Sequence, residues 1–118
     1  MPRVTIYHNP RCSKSRQTLQ LLRDRGIEPK VVAYLDDPPD EKTIRSLLGK
    51  LGVGAWELLR RKEAAFREMD LASKNDDEAA LVRAMARRPI LIERPIVVCG
   101  PAARIGRPPE QVLEILEH

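Results

Sequence analysis

Aromatic residues are scarce in this chain, with one Trp, two Tyr and one Phe among 118 residues. Proteins that hold single-stranded nucleic acid stack bases on aromatic faces inside a basic groove. Here the basic residues are spread among Asp and Glu, so no nucleic-acid partner is expected. No apolar run approaches the ~20 residues that a membrane-spanning helix needs. Met1-Pro2-Arg3-Val4 lacks the apolar core of a signal peptide. A cytoplasmic chain with no membrane partner and with reduced thiols is therefore expected. There are two cysteines, Cys12 and Cys99, and two histidines, His8 and His118, too dispersed for metal-ligand spacing. The third residue after Cys12 is Ser15, so there is no C-x-x-C pair. The sixth is Thr18, which excludes the C-x₅-R anion loop of the low-molecular-weight phosphatases. No carboxylate side chain precedes Asp24.

What is present fits one domain with a modest core. Lys and Arg number 21 against 17 Asp and Glu, a formal charge of +4, and arginine outnumbers lysine. Arginine excess fits forked recognition of an oxyanion, and it equally fits compositional bias.

The chain is organised around His8-Asn9-Pro10-Arg11-Cys12-Ser13-Lys14-Ser15-Arg16. Residues 3–7 alternate and are β-branched, which predicts a strand. From Ser13 to Arg25 the leucines recur at helical spacing, and Gly26 suits the helix end. Cys12 thus stands at a helix N-terminus, facing unpaired N–H groups and the positive end of the macrodipole. Both favour the thiolate, which is the nucleophile. The competing reading, an inert buried thiol, suits an apolar run better than this polar, basic turn.

Residues 30–34 read as a second strand, parallel to the first because a helix joins them. Asp36 to Asp40 form a turn, with Asp40 as N-cap of a helix whose Ile44, Leu47, Leu48 and Leu51 share one face. A short helix is expected over Ala55–Arg61, with Trp56 and Leu59 inward and Leu58 a further candidate. A polar linker follows over 73–77 and another helix over 77–87. The stretch 89–100 is β-rich but broken by Arg94-Pro95. Ala102 to Ile105 would return as a hairpin strand, and Pro108-Pro109 would open a final helix over 109–117.

Three arginines occupy unusual places. Arg94 interrupts an apolar stretch beside Glu93, Arg107 follows the hairpin, and Arg60 ends the short helix. Taken singly, Arg94 would pair with an acid and the other two would be solvated. Taken with a thiolate, they suggest a pocket for a small oxyanion.

Five segments in order resemble the glutaredoxin-linked ArsC arsenate reductases. They are Ile6 to Arg16, Tyr34 to Pro39, Leu58 to Lys62, Pro89 to Val98, and Gly106 to Glu110. The resemblance implies an α/β, thioredoxin-like fold, β-α-β then β-β-α, in a single domain 1–118 with an all-helical insertion at 36–88. It implies Cys12 as nucleophile and Arg60, Arg94 and Arg107 as oxyanion ligands. His8 would favour the thiolate, with Ser15 and Arg16 in support, and Pro95 would be cis. The implied reaction reduces arsenate with glutathione as co-substrate and glutaredoxin as partner, in a monomer with no resident cofactor. Members of the family with a C-terminal extension run past the position of His118. Cys99 falls where Thr is common and reads as structural. Two alternatives share the fold: an Spx-like regulator that binds RNA polymerase, which would carry C-x-x-C, and a glutathione-linked thiol oxidoreductase with another substrate.

Overall fold

The computed structural model describes residues 3–116. The chain divides into two compact units, one holding residues up to Asp37 and from Arg94 onward, the other Pro38–Glu93.

The first unit is built on a four-stranded sheet. β1 (Val4–His8) leads to α1 (Ser13–Asp24) and β2 (Lys30–Ala33); later come β3 (Ile96–Cys99), β4 (Ala102–Ile105) and a 3₁₀ helix (Pro109–Ile115). Strand order is β2-β1-β3-β4. β1 runs parallel to β2, with Ile6 opposite Val31, and antiparallel to β3, with Ile6 opposite Val97. The alternation in β1 buries Val4, Ile6 and His8. Val4 and Ile6 pack with Leu22, Val97, Cys99, Val112 and Ile115 into one core cluster. α1 stops at Gly26, whose φ of 79° is left-handed. There the Gly26 N–H donates to Arg23 and the Ile27 N–H to Leu22, which satisfies the last carbonyls of the helix. The turn that carries Cys12 joins the end of β1 to the start of α1.

The second unit holds α2 (Glu41–Leu51), α3 (Ala55–Leu58), α4 (Ala64–Glu68), a 3₁₀ turn (Leu71–Lys74), α5 (Glu78–Arg87) and a second 3₁₀ turn (Pro89–Leu91). Asp40 caps α2 by accepting the Thr43 N–H at 2.8 Å. Asp77 caps α5 by accepting the Ala80 N–H at 3.1 Å. The Glu78 carboxylate accepts the Ala55 N–H, which ties the start of α3 to α5. Trp56 and Phe66 meet edge to face at 5.8 Å, and Arg61 lies over the Trp56 ring.

Five expectations change. The short helix ends at Leu58 rather than Arg61, because Leu59 is extended and bridges Ile92. Leu58 and Leu59 are buried while Trp56 is only half-buried. Residues 89–92 do not join the sheet; they turn and then pair with 58–60, through Glu93 N–H to Leu58 O and Arg60 N–H to Leu91 O. The polar linker over 73–77 begins inside a 3₁₀ turn. The final helix is 3₁₀ and ends at Ile115, and Glu117 lies outside the described residues.

Candidate active site

β1 delivers the chain into a turn held by Asn9. Its Oδ1 accepts the Arg11 N–H at 3.0 Å, and its carbonyl accepts the Cys12 N–H at 3.0 Å. A short amide side chain is what such a turn needs. Cys12 becomes the N-cap of α1 with extended backbone, φ −95° and ψ 123°. The residue is buried, with 8% of its surface exposed.

No close capping hydrogen bond forms to the sulfur, yet the surroundings favour its ionised form. Burial is the largest influence and pushes the thiol up. The Ser15 N–H, the Arg94 guanidinium, the Lys14 N–H and the Arg107 guanidinium together outweigh it and hold the thiol below its ordinary value. Arg107 makes the direct contact, with Nη2 3.5 Å from Cys12 Sγ.

Arg94 and Arg107 flank the open end of the β3–β4 hairpin, just outside the Ile96–Ile105 pair on its two strands. Arg107 Nε donates to the Arg94 carbonyl at 2.8 Å, and the Gly106 N–H donates to the Pro95 carbonyl at 2.9 Å. The Arg94–Pro95 peptide is cis, and so is Arg107–Pro108, which the sequence reading did not anticipate. The structure therefore brings Cys12, Arg94, Arg107 and Pro95 together in the first unit.

His8 and Ser15 form a buried pair behind the turn. His8 Nδ1 lies 2.7 Å from Ser15 Oγ, and Ser15 Oγ accepts the Asn9 N–H at 3.0 Å. A hydroxyl can accept the Asn9 N–H and still either donate to or accept from the ring, so the direction of the His8–Ser15 bond follows the imidazole tautomer. Burial, then Arg23 and Arg16, hold His8 below its ordinary pKa. These surroundings disfavour the charged imidazole. Ser15, the partner of His8, also presents its backbone N–H to the Cys12 sulfur. Arg16 Nη1 donates to the Pro10 carbonyl at 2.8 Å, which ties α1 to the turn.

Arg60 belongs to the second unit and is not simply solvated. Its Nη2 lies 2.9 Å from Glu63, its Nε 3.9 Å from Glu93, and its Nη1 donates to the Ile90 carbonyl at 3.4 Å. Cys99 is buried in the core cluster at the end of β3. Among the described residues no group of His, Cys, Asp and Glu could hold a metal ion, and no helix is long and apolar enough to cross a membrane. Sequence reasoning missed Asn9 as the turn's anchor; an Asn in a polar turn is too common a signal to single it out.

A profile of the ArsC family matches residues 7–115. The chain is 58% identical over 114 residues to the uncharacterized protein YfgD of Escherichia coli (strain K12), covering 96% of each chain. It is 46% identical over 117 residues to an arsenate reductase of Neisseria meningitidis serogroup A, covering 98% of this chain and 100% of that one. Among solved structures, the arsenate reductase from Vibrio cholerae superposes with a TM-score of 0.93 at 50% identity, covering 97% of this chain and 98% of that one. Together with the thioredoxin-like order of strands and helices, these likenesses establish that the chain belongs to the ArsC family.

Proposed function

We propose that the chain reduces arsenate to arsenite with glutathione and glutaredoxin. The observation that carries this reading is the Cys12 sulfur at a helix N-terminus with the Arg107 guanidinium 3.5 Å away. Family membership and relatives that bear the name arsenate reductase support it.

The Cys12 thiolate attacks the arsenic of arsenate, an S–As bond forms, and water leaves. Arg94 and Arg107 hold the oxyanion and neutralise charge as it develops. Arg60 is assigned the same role on the family resemblance. Glutathione then attacks the adduct, and a second water leaves. A glutaredoxin thiolate takes the glutathione sulfur, and the electron pair of the glutathione S–As bond stays on arsenic, which becomes As(III) while still bound to Cys12. Water releases arsenite from Cys12. In sum two thiols become one mixed disulfide, and arsenic gains two electrons. Ser15 in place of a second cysteine supports an external reductant, since Cys12 has no neighbouring thiol in its motif. The reaction suits the reducing cytoplasm, and a monomer suffices for it.

The test is NADPH oxidation coupled through glutathione reductase, with arsenate, glutathione and glutaredoxin supplied. Turnover that requires all three and disappears in Cys12→Ser supports the proposal. Arsenate-dependent turnover surviving in Cys12→Ser refutes the mechanism. A folded wild type with a reactive Cys12 but no arsenate turnover refutes the substrate and favours a glutathione-linked thiol oxidoreductase.

A further inference from the structure

Thr18 lies on the buried face of α1, one turn beyond Ser15, and is fully buried. Its hydroxyl donates to the Lys14 carbonyl at 2.8 Å, which fixes the rotamer of a side chain that is already stiff at χ1. Gly106 faces it. A methyl group built on Gly106 would overlap the Thr18 hydroxyl, and would come within 2.9 Å of Pro95 Cγ and 3.1 Å of Thr18 Cγ2. Neither neighbour is the free end of a flexible chain; one is a proline ring and the other a β-branched side chain bonded to its own helix. Gly106 is therefore glycine because the loop between β4 and Pro108 touches α1 directly. The next residue is Arg107, which reaches the sulfur at the N-cap of that same helix.

We propose that Thr18 and Gly106 are positioning residues: their contact sets how closely the Arg107 loop approaches α1, and so fixes the reach of Arg107 to Cys12. This inference rests on Cys12 as the nucleophile of the proposed reaction. Two bonds carry the placement onward, from Gly106 N–H to the Pro95 carbonyl and from Arg107 Nε to the Arg94 carbonyl. If the loop retreats from α1, Arg107 moves with it and Arg94 loses its tie to Arg107. A contact that served packing alone would affect stability and leave the thiol unchanged.

The experiment measures alkylation of Cys12 by iodoacetamide against pH, read at that residue by peptide mass spectrometry. The variants are Thr18→Ala, Gly106→Ala and the double variant, each with a thermal melt. No oxyanion enters the assay, so its result is independent of whether arsenate is the substrate. Gly106→Ala should slow alkylation at neutral pH by about threefold or more, because the attraction of Arg107 for the thiolate falls with distance. Thr18→Ala alone should stay within about twofold of wild type, and in the double variant the vacated space should restore part of the lost rate, the Pro95 contact remaining, a coupling expected only of residues in contact. A folded Gly106→Ala with the wild-type pH profile overturns the inference, as does a double variant no faster than Gly106→Ala. Should Gly106→Ala fail to fold, Thr18→Ile presses on the same contact from the helix side. Slower alkylation in folded Thr18→Ile supports the inference, and a wild-type rate overturns it.

Discussion

Arg107→Ala isolates the electrostatic part of the site. The charge centre nearest the sulfur is 3.5 Å away. Coulomb's law gives about 1.2 kcal/mol at that separation in the dielectric of water and about 5 kcal/mol at an effective constant of 20. Arg107 is exposed, so the lower figure applies, and the spread of charge over the guanidinium reduces it further. About 1 kcal/mol corresponds to roughly fivefold in the thiol–thiolate equilibrium. Loss of the cation raises the thiol pKa, so the variant carries less thiolate at neutral pH. The assay is Cys12 alkylation against pH at low ionic strength and at 1 M salt. At low salt Arg107→Ala should be roughly fivefold slower at neutral pH. At 1 M salt, where the screening length is about 3 Å, wild type should fall toward the variant. Equal rates at low salt would refute the contact as a source of thiolate stability. A gap that ignores salt would point to altered structure rather than lost charge.

Arg94→Ala should raise the KM for arsenate by about tenfold or more, the scale of a lost charge-assisted hydrogen bond, while Arg87→Ala on the exposed face of α5 should change it little; equal effects in steady-state kinetics would argue against a specific clamp. His8 gives a pH dependence. Its folded pKa lies below the ordinary value of 6.5, so the unfolded chain binds the proton first. Stability from this group is complete above the unfolded value and falls as pH drops toward the folded one. The melting temperature should decline over that window, and His8→Asn, which keeps an acceptor for the Ser15 hydroxyl, should flatten the decline; parallel curves would reject the assignment. Cys99→Ser places a hydroxyl in the core cluster and should cost about 1–3 kcal/mol of stability while leaving turnover largely intact; an inactive but folded variant would give Cys99 a chemical role.

Much of the first unit was legible because local signals and tertiary demands agree there. The alternation of β1, the leucines of α1, and Gly26 at its end each specify one outcome, and the cysteine between strand and helix follows from them. The aliphatic run Ile90-Leu91-Ile92 was not legible. Its composition suits a strand, but the edge it pairs with is the single extended residue Leu59, and Pro89 starts a 3₁₀ turn instead. The fate of Arg60 was hidden for a related reason. Its acids, Glu63 and Glu93, converge only after that pairing forms. The closeness of Gly106 to Thr18 is likewise a property of packing, invisible in two residues 88 positions apart.

The Ser15 hydroxyl has a consequence for how this scaffold could change its chemistry. It stands where a dithiol protein would carry its second sulfur, and it is fully committed, taking the Asn9 N–H and serving His8. Sulfur is a larger atom and a weak hydrogen-bond partner. A thiol introduced at this position would leave a buried amide and a buried imidazole poorly satisfied beneath the very turn that presents Cys12. A Ser15→Cys exchange would therefore weaken both bonds that brace the turn, at a cost of about 1–3 kcal/mol for each group left unsatisfied.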